Sequence, residues 1–173
     1  MVASVLVRVG PAGADTASEC DESFDAAVTT ADFLCVEVSF SRRIHVSAEF
    51  TQVGPWPEGN APEPTVFRMM IDPARFRAGP RFRLRVHTHP DRTATGRLLM
   101  ASSPGSQYNM IRCADVRAEW FFAGDDVTAS VPSRCLRRHT RLGDQARVRL
   151  RSFDGGDGDY LRDPPKTFEV TRG

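Results

Sequence analysis

Polar and apolar residues alternate with a period of two through most of this chain. Along 33–40, Leu34, Val36, Val38 and Phe40 fall on one face and Phe33, Cys35, Glu37 and Ser39 on the other. After Ser41-Arg42-Arg43 the pattern resumes, with Ile44, Val46, Ala48 and Phe50 opposed to His45, Ser47, Glu49 and Thr51. Successive side chains of a strand point to opposite faces, so this pattern predicts half-buried strands, here a hairpin or a bent pair. The stretch 81–89 repeats it: Phe82, Leu84 and Val86 oppose Arg81, Arg83, Arg85, His87 and His89. Further strand-like runs occupy 65–71, 107–113, 116–122, 127–131, 146–153 and 167–171. Proline and glycine break the chain at 53–64 and 72–80, a Gly124-Asp125 turn separates two of the runs, and 91–106 is rich in Thr, Ser and Gly around a short apolar patch at 98–100. Helical spacing is confined to 22–30 and 132–142, each long enough for a short turn of helix.

Many short strands between turn signals predict an all-β fold, an antiparallel β-sandwich of jelly-roll-like or immunoglobulin-like form, because two half-buried sheets must cover each other. Residues 15–173 form one domain in this reading. Residues 1–14 have two readings, the tail of a signal peptide ending at Ala12-Gly13-Ala14 or a first strand over 4–9.

The 173 residues suit a single domain able to bury roughly 70% of its unfolded surface. A net charge of +1 gives no whole-chain field that calls for nucleic acid or a membrane. No stretch approaches the ~20 apolar residues of a membrane helix. The positive charge is nearly all arginine, Lys166 being the one lysine, which fits GC-rich coding. Cys20, Cys35, Cys113 and Cys135 allow three pairings and contain no C-x-x-C motif. Local pairing, Cys20–Cys35 and Cys113–Cys135, is the first choice; each bond would contribute roughly 3 kcal/mol in the chain-entropy account. Disulfides imply an oxidising compartment and hence secretion.

The order A-D-F-L-C-V-E-V-S-F-S-R-R-I-H-V-S-A-E-F, M-I-D-P-A, G-P-R-F-R-L-R-V, Y-N-M-I-R, a W-F-F strand, D-D-V-T-A-S-V-P-S-R-C-L and R-V-R-L-R-S-F-D-G resembles a group of secreted proteins of high-GC bacteria. Those are distantly similar to the superfamily of family-9 carbohydrate-binding modules and DOMON domains. The likeness runs from about Asp21 to Thr171. It implies a β-sandwich that binds sugar or haem.

Trp56, in the proline-rich segment G-P-W-P-E-G, is a candidate stacking platform for a sugar ring; the plainer reading is a cap on one end of the sandwich. Trp120, beside Phe121 and Phe122, reads as core. The stripe of Arg81, Arg83, Arg85, His87 and His89 is a candidate for an anionic polysaccharide or a phosphate chain. Its plainer reading is a solvated face matched by Glu37 and Glu49 on neighbouring strands. Without interleaved exposed aromatics it argues against nucleic acid. His87 and His89, two apart, could share a metal only with a third ligand such as His45 or Asp91. Asp154, Asp157 and Asp159 on a glycine-rich segment suit calcium, although their spacing misses the EF-hand pattern. Haem would need an axial His or Met, and Met69, Met70, Met100 and Met110 supply the type without a motif. Ser102, Ser103 and Ser106 lack a nucleophile-elbow context. The expected function is a secreted, non-catalytic binding domain for carbohydrate or a cell-envelope polymer, using Trp56, Arg83, Arg85 and His87, with no required cofactor. The alternatives are a structural or protein-interaction domain, and a calcium-dependent or metal-supported hydrolase.

Overall fold

A computed structural model describes residues 15–20, 33–50, 65–73, 81–89, 91–103, 105–121, 123, 125–152 and 166–173. Its strands are β1 (Asp15–Cys20), β2 (Phe33–Phe40), β3 (Arg43–Phe50), β4 (Thr65–Pro73), β5 (Arg81–Thr88), β6 (Ala94–Ala101), β7 (Asn109–Met110), β8 (Arg117–Phe121), β9 (Asp126–Pro132), β10 (Gln145–Ser152) and β11 (Lys166–Thr171), with one short helix, α1 (Ser133–Arg137), after β9. They form two antiparallel sheets. Sheet A has the order β1-β2-β3-β9-β8 and sheet B the order β11-β10-β4-β5-β6-β7.

The alternation in the sequence explains why the sheets stack. Val36, Val38 and Phe40 of β2, Ile44, Val46, Ala48 and Phe50 of β3, and Val127, Ala129 and Val131 of β9 are buried beneath sheet A. Facing them from sheet B are Phe67, Met69 and Ile71, Phe82, Leu84 and Val86, and Val148 and Leu150. These residues form one contiguous cluster that includes Trp120, as its sequence context predicts. The sheets meet where β1 and β2 pass over β11 and where β8 and β9 pass over β6. The fold is therefore an all-β sandwich, as expected.

The connectivity decides between the two expected forms. With β2, β3, β8 and β9 taken as strands A, B, D and E, sheet A contains the order A-B-E-D. With β4, β5, β6, β10 and β11 taken as C, C′, C″, F and G, sheet B contains G-F-C-C′-C″. That is the strand order of a variable-type immunoglobulin sandwich, with β1 added beside A and β7 beside C″. The bridges are not those of an antibody domain, where the disulfide joins B to F. Cys20 and Cys35 lie directly opposite each other on β1 and β2, and Cys113–Cys135 ties the segment before β8 to α1. Both pairs are the local ones expected from the sequence, and no free cysteine is present.

Four local readings change. Between Phe33 and Cys35 the β2–β3 register shifts by one residue, a bulge at Leu34. It turns Phe33 inward, onto the rings of Phe50 at 5.0 Å and Phe67 at 6.4 Å, instead of leaving it beside Cys35. Part of the Thr/Ser/Gly-rich stretch is a full strand, β6. Glycine is required there because a Cβ on Gly96 would lie 2.8 Å from Val116 Cγ1. The run at 107–113 yields only the two residues of β7; beyond Ile111, which donates its N–H to the Leu98 carbonyl, the chain leaves for Cys113 and its bridge. The polar segment Asp15–Cys20, which carries no alternation signal, is the edge strand β1. The helical turn expected within 132–142 is α1, while residues 1–14 and 22–30 lie outside the described residues.

Candidate binding face

The outward side chains of the two sheets differ in charge. On sheet A they include Glu37, Glu49, Glu119 and Asp126, with Arg43 and Arg117. On sheet B, the outward positions of β4 and β5 carry Arg68, Arg81, Arg83 and Arg85, those of β6 and β10 carry Arg97, Arg147, Arg149 and Arg151, and the described carboxylates among them are Asp72 and Glu169. Among the described residues, therefore, the outer face of sheet A is mainly acidic and that of sheet B mainly basic.

The register fixes how the arginines are arrayed. Arg151 pairs with Arg68, Arg68 with Arg85 and Arg85 with Arg97, so four guanidinium-bearing positions lie side by side across β10, β4, β5 and β6. The next row runs Thr167, Arg149, Met70, Arg83, Leu99 and Met110, and the one after it Glu169, Arg147, Asp72 and Arg81. The carboxylates sit in that last row and are used there. Asp72 Oδ2 accepts from Arg149 Nη2 at 2.7 Å, and its Oδ1 lies 3.6 Å from Arg81 Nε. Glu169 Oε1 accepts from Arg147 Nη2 at 2.8 Å. Arg83 takes neither carboxylate: its guanidinium lies 3.8 Å above the Tyr108 ring and its Nε approaches Met70 Sδ at 3.3 Å. The Arg85 Nε is buried with no hydrogen-bond partner.

This geometry corrects the sequence reading of the stripe. Arg81, Arg83 and Arg85 do share an outer face, but Glu37 and Glu49 do not neighbour it. They lie on β2 and β3, in the opposite sheet. His87 has the outward parity of the arginines yet is only 7% exposed, so it is no surface contact residue. His89 ends β5's run differently, its Nε2 within 2.9 Å of Thr95 Oγ1. No group of three or more His, Cys, Asp or Glu side chains suited to a metal occurs among the described residues. His87, His89, His45 and Asp91 are therefore not assembled as ligands; His45 is on sheet A, and Asp91 Oδ1 accepts from Thr93 N at 3.1 Å and Thr93 Oγ1 at 2.6 Å. Those two bonds lower the Asp91 pKa below its ordinary value.

Trp56 and the carboxylates of Asp154, Asp157 and Asp159 lie outside the described residues. The strands that flank their segments all open at one end of the sandwich. Ser152 pairs with Phe67, Thr65 with His87 and Thr88 with Ala94, while Phe50 of β3 stacks on Phe67 at 6.1 Å. The row of four arginines is near that same end.

The opposite end is stapled. Arg43 donates from Nε to Ser130 Oγ at 3.0 Å and from Nη2 to the Asp115 carbonyl; Arg134 pairs with the Asp115 carboxylate, and Ser133 N–H donates to the Arg42 carbonyl at 3.0 Å. Burial, with Arg117 and Arg134 nearby, lowers the Arg43 pKa. Together with Cys113–Cys135 these contacts lock α1 to the start of β8.

The sequence reading missed Arg68, Arg97, Arg147, Arg149 and Arg151 as members of one face. The signal was present: R-F-R-L-R at 81–85 and R-V-R-L-R at 147–151 each put three arginines on one side of a strand. Only the sheet order, which puts β4 between them, shows that the two sides are the same surface. No helix among the described residues is long and apolar enough to cross a membrane. The chain matches no protein-family model, no curated protein and no solved structure.

Proposed function

We propose that this chain is a secreted, non-catalytic binding domain that holds carbohydrate of the cell envelope or of an extracellular substrate against the outer face of sheet B. The observation that carries this reading is the concentration of arginines on one rigid sheet face. Both disulfides favour an oxidising compartment. Arginine suits carboxylate and sulfate groups because its planar fork donates two parallel hydrogen bonds. A sheet supplies those forks at fixed spacing and without ordering a loop on binding, which limits the entropic cost of association. The methylene and thioether surfaces of Met70 and Leu99, between the arginine rows, offer apolar contact to the C–H faces of sugar rings.

The protein-interaction alternative has less behind it. Among the described residues the exposed large apolar side chains are Met110 at 72% and Phe121 at 52%, one on each sheet, and they form no common patch. Glycan-array binding of the full chain, with and without calcium, tests the proposal. Retention of acidic envelope or extracellular glycans is expected in both conditions. Retention of no glycan would overturn the reading, and retention only with calcium would move the site away from sheet B.

A further inference from the structure

We infer that Cys20–Cys35 is a thiol-exchange site that releases the edge strand β1, and that it reacts preferentially with thiols carried on cationic molecules. The inference is independent of the binding role proposed for sheet B, because β1 and β2 lie in sheet A. The two bridges differ in access. Cys20 is exposed and Cys35 half-buried, whereas Cys135 is 5% exposed and Cys113 packs against the core. An attacking thiolate must reach a sulfur, so exchange follows exposure. The bridges also differ in what they hold. Cys113–Cys135 ties a segment already fastened by Arg43, Asp115 and Arg134. Cys20–Cys35 joins two directly opposed residues at one end of β1, and no residue of β1 is fully buried. Of its side chains at the inward positions, Asp15, Ala17 and Glu19, the apolar one packed against the core is Ala17. Beyond the bridge, β1 is held chiefly by its backbone ladder to β2 and by its passage over β11.

The register sets the charge around the bridge. Cys20 pairs with Cys35, Cys35 with Glu49 and Glu49 with Asp126, so the disulfide and two carboxylates share one row across the outer face of sheet A. Glu37 stands two residues along β2 on the same side. The described cations of this face, Arg43 and Arg117, lie at the other end, in the rows of Pro132 and Ser130. An anionic thiol therefore approaches against like charge, and a cationic one does not. In the exchange, the thiolate's lone pair forms a bond to Cys20 Sγ. The electron pair of the old S–S bond leaves on Cys35 Sγ, which then takes up a proton. The product is a mixed disulfide on Cys20 and a free thiol at Cys35; a second thiol attacking the adduct leaves two protein thiols and the oxidised reagent. Either product lacks the covalent tie between β1 and β2, while the core beneath β2 and β3 keeps its own side chains.

The test treats the folded full chain with cysteamine or thioglycolate at equal thiolate concentration, quenches by alkylation, and reads each cysteine by mass spectrometry. Cys20–Cys35 is expected to open first, with the early adduct on Cys20 and Cys113–Cys135 intact. The rate ratio of cysteamine to thioglycolate is expected to fall about fivefold between low salt and about 1 M salt, and by a similar factor in E49Q/D126N at low salt. Hydrogen exchange of the opened chain is expected to quicken about a hundredfold in 15–20, the fold-change that a bridge of sequence separation 15 implies, with the central strands β3, β4, β5 and β10 unchanged. C20S/C35S is expected to show the same pattern without any thiol. Earlier opening of Cys113–Cys135, or a first adduct on Cys35, overturns the exchange site. A rate ratio that is the same in the parent, at high salt and in folded E49Q/D126N overturns the selection by charge. Unchanged exchange in 15–20 after opening and in C20S/C35S, or loss of protection throughout the chain in both, overturns the release of β1.

Discussion

Replacing Arg85 with glutamine should stabilise the protein at low salt and should cease to do so at high salt. Arg85 stands between Arg68 on one side and Arg97 on the other, so its removal relieves two cross-strand like-charge pairs. Cross-strand side-chain interactions of this kind are each worth roughly 0.2–1 kcal/mol, and two of them come to about 1 kcal/mol. Against this stands the loss of part of the arginine stem, which packs along the sheet, at roughly 0.5 kcal/mol. The relief wins narrowly in dilute buffer. At about 1 M salt the screening length falls to about 3 Å, shorter than the strand spacing, and the relief disappears while the packing loss remains. Urea unfolding of parent and R85Q, monitored by tryptophan fluorescence at both salt concentrations, therefore should show a difference in stability that shifts by about 1 kcal/mol and changes sign. A difference that does not move with salt would refute the claim that the arginines of this row repel one another in the folded state.

The other predictions concern the scaffold. Cys113 and Cys135 are 22 residues apart, and replacing both with serine should cost about 3 kcal/mol in the chain-entropy account, read as a lowered urea midpoint that reductant lowers further only through the remaining Cys20–Cys35 bridge. Gly96→Ala should destabilise by roughly 1–3 kcal/mol through the clash with Val116 Cγ1 at 2.8 Å, less about 0.5 kcal/mol regained from a stiffer unfolded chain; thermal unfolding reads the sum. His45 has its pKa lowered below 6.5, chiefly by burial and also by Arg43, with Glu37 and Glu119 opposing. The unfolded chain then takes up the proton first as pH falls, so His45's contribution is present above about pH 6.5 and is lost as pH drops through the lower folded value. H45Q should flatten the urea midpoint against pH in that window, and an unchanged profile would assign the slope to other groups.

How much of this could be read from the sequence depends on what each residue needed to know. The strands β2, β3, β5 and β10 show in the alternation because each has one buried face and one wet one. The polar strand β1 does not, because it is an edge strand held by backbone pairing to β2 and by Cys20–Cys35, neither of which leaves an apolar period. The glycine-interrupted β6 reads as a loop until the close approach of Val116 explains Gly96. Phe33 changes sides through a bulge that no single-strand pattern encodes. The site behaves likewise. The stripe Arg81, Arg83, Arg85 is legible on one strand, but whether acidic or basic strands flank it depends on sheet order. Glu37 and Glu49 prove remote and Arg68 and Arg97 adjacent only because β3 crosses to the other sheet before β4.

The most direct measurement of the central claim is arginine footprinting of the full chain with phenylglyoxal, read residue by residue by mass spectrometry, with and without polygalacturonate. Protection of Arg68, Arg85, Arg97 and Arg151, with Arg117 on sheet A and Arg137 on α1 labelled as before, is the predicted result. Protection that falls on sheet A, or equally on all arginines, would contradict a binding face on sheet B.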